Sequence, residues 1–160
     1  MISMTAVTQE SLEVFVVEVL QAMGLSQEDA DIFGNALIFS ELRFHPGHGQ
    51  GVKKLRRYQK RFSQGLFDPG AGWEVVKESP ALALVDAHNG LGTVAASRAM
   101  ELAIEKAKVC GIGQVVVRNS THFGSSAVHA CLAAEAGCIG IAFTNAGPEM
   151  APWGAREGAV

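Results

Sequence analysis

Cysteine is scarce: the chain holds three in 160 residues, Cys110, Cys131 and Cys138, and no two form a CxxC pair. An odd, scattered set excludes a disulfide scaffold and fits a reducing compartment. Charge is also sparse, at 18% of residues with a net value of −3. That excludes a disordered polyelectrolyte and a chain basic throughout for nucleic acid. Long apolar runs are missing: no stretch approaches the ~20 uncharged residues of a membrane helix. Glu10, Glu13 and Glu18 lie before or inside the first apolar run, which therefore does not read as a signal peptide. What is there is a 48% hydrophobic content, enough to build a core for one ordinary domain or two small ones. The expectation is a soluble, cytoplasmic protein with no membrane and no nucleic-acid partner.

The first half has a helical period. Thr8 can cap a helix whose apolar positions are Leu12, Phe15, Val16, Val19, Leu20 and Met23, and Gly24 ends it. Ser26 followed by Asp29 reads as a cap opening a second, well-buried helix through Ile32, Phe33, Ala36 and Leu37. Pro46, among Gly47, Gly49 and Gly51, breaks it into a loop, and a third helix follows over 51–63. Turn residues over 65–72 mark the best boundary. Beyond it the period shortens: strands over 73–78 and 81–86 around Ser79-Pro80 could form a hairpin. A helix is expected over 93–109, its inner side built from Ala96, Ala99, Met100, Ala103 and Ala107 and its outer side carrying Arg98, Glu101, Glu105 and Lys108. A strand over 112–117, a helix over 125–136 and a buried strand over 138–144 complete two successive strand–helix–strand passages. The implied fold is α+β: a helical segment (1–65), then a mixed sheet packed with helices (72–160).

Four groups of residues have chemical potential. Arg43-Phe-His45-Pro-Gly-His48-Gly-Gln50 places two histidines in a glycine-rich loop, where a ring poised near neutrality can move a proton. The plainer reading is two rings bonded to local backbone; a metal pair lacks a third ligand at a familiar spacing, so no metal is expected. Lys53, Lys54, Arg56, Arg57, Lys60 and Arg61 put six cations into nine residues. This is either a solvated face or a site for an anion. Asn119-Ser-Thr-His122-Phe-Gly124-Ser-Ser126 is a polar turn between a strand and a helix, where helix N–H groups can hold an anion such as a pyrophosphate. Gly90-Leu-Gly92-Thr-Val-Ala95 matches GxGxxA, yet Asp86-Ala-His-Asn separates it from its strand and no acid closes the next one. These glycines read as turn and helix-start residues. His129 reads as a satisfied, partly buried ring, and Cys131 and Cys138 as small core residues.

Several motifs stand in one order: Val115-Val-Val-Arg-Asn-Ser-Thr-His122-Phe-Gly, Ala133-Ala-Glu-Ala-Gly137-Cys-Ile-Gly-Ile141, and Thr144-Asn-Ala-Gly-Pro148-Glu-Met-Ala-Pro-Trp-Gly154. Together with Leu42-Arg43, His48-Gly49 and Val52, Leu55, Tyr58, they resemble the type-2 malate/L-lactate dehydrogenase family over essentially the whole chain. That family includes malate, sulfolactate and ureidoglycolate dehydrogenases, diketogulonate reductase and cyclic imino-acid reductases. The resemblance implies a homodimeric oxidoreductase using NAD or NADP on a fold that is not Rossmann. Hydride would pass between nicotinamide and a small 2-oxo or 2-hydroxy acid, or a related imine. It implies His48 and His122 as catalytic, Arg43 and Lys54 as substrate-binding, and His122, Phe123, Gly124, Ser125, Ser126, Thr144, Asn145 and Ala146 as cofactor-binding.

The chain departs from the family pattern in four ways. Gly47 replaces the serine before the catalytic histidine. Counting back from Val52 puts Gln50, not His48, at the catalytic position; a two-residue insertion resolves this, because only His48 can move a proton. Lys54 stands where the substrate-carboxylate arginine would fall, keeping the charge and losing the bidentate fork. Family members are also much longer, so the resemblance implies an N-terminal portion with an incomplete cofactor-binding domain, inactive or weakly active alone. The rival reading is a non-catalytic anion-binding module built on the basic helix 53–61.

Overall fold

The computed structural model describes residues 6–43, 51–145, 154 and 156. Helix α1 (Gln9–Ala22) begins where the hydroxyl of Thr8 accepts the Ser11 N–H at 3.2 Å. Helix α2 (Gln27–Leu42) begins in the same way, the Ser26 hydroxyl accepting the Asp29 N–H at 3.1 Å. Both caps satisfy backbone donors that a helix start leaves unpaired. The two helices pack together through Val16 and Leu20 of α1 and Ala30, Phe33, Leu37 and Ile38 of α2. Phe15 is the exception to the expected inner face and stands 54% exposed.

Residues 44–50 lie outside the described residues, so the loop expected around Pro46 does too. Its two ends are tied: Glu41 of α2 accepts the Val52 N–H on Oε2 at 2.9 Å. Val52 opens a 3-10 turn, Val52–Lys54, which leads into α3 (Leu55–Ser63). Tyr58 of α3 meets Phe33 edge-on at 4.7 Å between ring centres, and Phe67 packs on it at 6.4 Å. Phe67 lies within the expected boundary region 65–72, which therefore contributes to the core.

Strands β1 (Glu74–Glu78) and β2 (Leu82–Gly90) form the expected antiparallel hairpin. Helix α4 (Gly92–Cys110) then crosses to β3 (Gln114–Ser120), which runs parallel to β2, so the order is β1-β2-β3 and the sheet is mixed. Helix α5 (Ser126–Glu135) packs on α4. Leu91 and Val94, at the start of α4, belong to the same core as Leu20, Phe33 and Tyr58.

Three expectations need correction. No strand forms over 138–144; the chain there is coil, with Ile139 95% and Phe143 81% exposed. The Cys138 N–H bonds back to the Ala133 carbonyl at 2.8 Å, and Gly140 lies tight against the Ala130 carbonyl. The segment is thus led along α5 instead of along β3, and only one strand–helix–strand passage is complete. The inner side of α4 is also rotated from the alanine row: it buries Ala95, Ser97, Ala99, Ile104 and Lys106. Lys106 is held there by Glu78 at 2.7 Å and the Ser79 carbonyl at 2.9 Å, and Arg98 pairs with Asp29 at 2.8 Å. Finally, Ile112 is exposed and β3 starts two residues later, while Cys131 and Cys138 are only partly buried.

Candidate functional site

The parallel pair β2–β3 ends at one edge, and the chain leaves both strands there. Open α/β sheets bind ligands beyond the carboxyl ends of their parallel strands. Asp86 of β2 sits at that end opposite Arg118 of β3. Its buried carboxylate takes the His88 N–H on Oδ1 at 2.9 Å, and Arg118 Nε and the Asn119 amide on Oδ2, both at 2.9 Å. The His88 N–H above all, with Arg118 and Asn119, holds this carboxyl below the ordinary aspartate range against the opposing effect of burial. Three non-glycine residues around it, His88, Asn89 and Asn119, have positive φ of 46°, 64° and 53°. Such backbone is unfavourable for side chains other than Asn and Asp and persists where its surroundings enforce it.

The turn that leaves β3 is stitched to the start of α4. The Thr121 hydroxyl donates to the Gly90 carbonyl at 3.2 Å and accepts the Gly92 N–H at 3.0 Å. A Cβ on Gly92 would collide with the Thr121 carbonyl, so the GxGxxA glycines serve close backbone approach at a helix start, as expected. On its far side the turn is held by His129, which is 1% exposed. Its Nε2–H donates to the Phe123 carbonyl at 2.9 Å, its Nδ1 lies 3.3 Å from the Ser97 hydroxyl, and its ring stacks on Phe123. Burial pushes His129 below the ordinary histidine range, partly offset by the Phe123 carbonyl. Nδ1 then accepts from Ser97, and the ring is neutral.

Between these anchors lies His122, exposed, with the Gly124 N–H donated to its Nδ1 at 3.0 Å. A ring nitrogen that accepts carries no proton, so the neutral ring has its proton on Nε2. His122 lines a cleft of about 40 Å³ with Lys54, Arg57, Tyr58 and Arg61. Two segments far apart in sequence, the basic helix and the polar turn, therefore meet. The other basic residues Lys53, Arg56 and Lys60 are exposed and do not line it. Tyr58 has its hydroxyl pushed up by burial, against the lowering effect of Arg61 and Arg57, so it stays protonated. A second, smaller cavity at Gly124 and Ser125 is lined by Phe33, Ser40, Tyr58 and Thr93.

The remaining expected site residues lie elsewhere. Arg43 folds back on α2, its guanidinium 3.4 Å above the Phe39 ring and bonded to the Phe39 carbonyl at 3.3 Å. Thr144 and Asn145 are exposed coil beyond α5. His45, His48, Gln50 and Ala146 fall outside the described residues. By sequence Arg57 and Arg61 stand only within the basic run read as a solvated face or anion site, and Asp86 is not among the site residues. The first two were hidden in a dense basic run. Asp86 carried a signal in Asp86-Ala-His-Asn-Gly90, the pattern of an aspartate bonding its own backbone two residues on. Among the described residues no group of His, Cys, Asp or Glu is arranged to hold a metal ion.

The chain is 42% identical over 151 residues to malate dehydrogenase of Pyrococcus horikoshii, covering 94% of this chain and 41% of that protein. It is 38% identical to L-sulfolactate dehydrogenase of Methanocaldococcus jannaschii, covering 92% of this chain and 42% of that one. Its fold superposes on the crystal structure of malate dehydrogenase from Entamoeba histolytica with a TM-score of 0.80 at 35% identity, over 85% of this chain and 37% of that one. The chain thus spans about two fifths of the length of the curated relatives it matches. The sequence model of the malate/L-lactate dehydrogenase family matches residues 7–160, and the chain belongs to that family.

Proposed function

We propose that this chain carries the substrate cleft and part of the cofactor site of an NAD- or NADP-dependent dehydrogenase acting on a small 2-hydroxy or 2-oxo acid. The single observation that carries the reading is the meeting of His122 with Lys54, Arg57 and Arg61 in one cleft. Cations around a histidine suit an organic acid whose carbonyl or hydroxyl must exchange a proton. Three cations exceed the need of one carboxylate and favour a substrate with two acidic groups, in keeping with relatives named for malate and sulfolactate. Lys54, Arg57 and Arg61 are proposed to hold the acidic groups of the substrate, which the position of all three along the cleft supports. His122 holds a proton on Nε2 for a substrate oxygen, and His48 is the second proton-moving group. Residues 1–65 supply the cations and the catalytic-His loop; residues 72–160 begin the cofactor-binding domain.

The turn also suits the cofactor. Ser125 makes no side-chain cap bond to α5, and Ser126 and Ala127 are exposed at its start. A helix start of this kind takes a phosphate group. His122, Phe123, Gly124, Ser125 and Ser126 would hold the nucleotide there, with Thr144, Asn145 and Ala146 beside it. Bound nicotinamide supplies or accepts the hydride. A homodimer in the cytoplasm is the assembly proposed.

Calorimetric titration of the 160-residue chain with malate, lactate and NADH tests this reading. Malate should bind more tightly than lactate, and Arg57→Gln with Arg61→Gln should remove most of that difference. Binding to polyanions with no response to malate or NADH would favour an anion-binding module on helix 53–61 instead.

A further inference from the structure

The Asp86 carboxylate does not line the cationic cleft, yet it accepts more hydrogen bonds than any other side chain described above. Two of its three donors, Arg118 and Asn119, lie near the end of β3, followed by Ser120 and the turn that carries His122. Asn119 has φ 53° and sits where the β2–β3 register slips between Asp86 and Gly90. This left-handed step, which an Asn takes readily, lies three residues before His122, and the bond from Asn119 to Asp86 holds it. The Asp86 Oδ1 bond to the His88 N–H fixes the carboxylate itself, leaving Oδ2 aimed at β3.

We infer that Asp86 is a positioning residue of the His122 turn, beside the Thr121 and His129 anchors: through Asn119 and Arg118 it sets the left-handed step from which the chain delivers His122 to the cleft. Asp86 touches no substrate; it fixes where His122 stands and which ring nitrogen can accept the Gly124 N–H. The role rests on the cleft being the substrate site, while the geometry of the turn can be tested without that assumption.

The test is nitrogen NMR of the histidine rings in the ligand-free 160-residue chain, with thermal unfolding recorded alongside. In the wild type the two ring nitrogens of His122 should give the widely separated signals of one tautomer. Asp86→Asn, which keeps the volume and replaces an acceptor by a donor against Asn119, should collapse that separation. Asn119→Gly tolerates the positive φ and removes only the side-chain bond, so it decides the matter if Asp86→Asn fails to fold. The exchange Asp86→Asn with Asn119→Asp restores the pair with residue 119 in reverse, while the Arg118 bond stays lost, and should return the wild-type pattern in part. Unchanged His122 signals in a folded single variant, or an exchange that restores nothing, would overturn the assignment. Malate added to the wild type should move the His122 signals, and Asn119→Gly should weaken that response about tenfold, the order of one lost hydrogen bond. A wild type indifferent to malate refutes the substrate reading alone, since the ligand-free spectra judge Asp86 separately.

Discussion

At Gly92 a single hydrogen atom decides how closely α4 approaches the turn that bears His122. A methyl there would overlap the Thr121 carbonyl, whereas one on Gly65 meets nothing within 4 Å and faces only a φ of 67°. Gly92→Ala should therefore destabilise by about 1–3 kcal/mol as an overpacked contact. Gly65→Ala should cost about 1–2 kcal/mol from its backbone conformation alone. Chemical denaturation measures both, and only Gly92→Ala should also disturb His122. His129 makes a second prediction. Its folded value lies below that of the unfolded chain, so the unfolded state takes up a proton first as pH falls from about 6.5. Stability from the neutral ring is then lost steadily until the folded ring itself titrates. The urea midpoint should drop further between pH 7 and pH 5 in the wild type than in His129→Phe. Equal drops would show that the ring is not held neutral.

The elements form for reasons of unequal range. Thr8 and Ser26 cap α1 and α2 through bonds to residues three positions away, so both helix starts could be read directly from the sequence. Ser26→Ala should cost about 1 kcal/mol in a thermal melt, with the loss confined to α2 and measurable by hydrogen exchange at its first turn. The hairpin and α4 were legible for the same reason, as turn residues and apolar periods are local signals. What could not be read depends on partners far along the chain. The inner side of α4 is set by Lys106 reaching Glu78 and Arg98 reaching Asp29, 28 and 69 positions back. Apolar periodicity carries no information on either ion pair. The Ile139-Gly-Ile141-Ala-Phe143 alternation has the pattern of a strand. Pattern alone gives no pairing neighbour, and the Cys138 bond to α5 takes the segment elsewhere. The cleft was half visible: each of its two segments was noticed for its chemistry, and only folding shows that Lys54 and His122 share it.

For the molecule as a whole, the described residues include two sets of exposed apolar side chains beyond the helices. One is the alternating row Ile139, Ile141 and Phe143; the other comprises Leu82 and Val116 of the sheet, with Val75 and Val76 exposed on its edge strand. Exposed apolar area on this scale drives association. Sedimentation of the 160-residue chain should show self-association rising with concentration, reduced by Ile139→Lys with Phe143→Ser and with little change in melting temperature. A chain that stays monomeric at high concentration would contradict this. Glu41 has a quieter effect on the same scale. By gripping the Val52 N–H it joins the end of α2 to the start of the basic helix. Residues 44–50, with both histidines of that stretch, fall in sequence between the two residues this bond joins. Insertions or deletions between the fastened points need not be transmitted to Lys54, Arg57 or Arg61. Evolution could thus retune the length of that stretch, and the reach of His48, without rebuilding the charged wall.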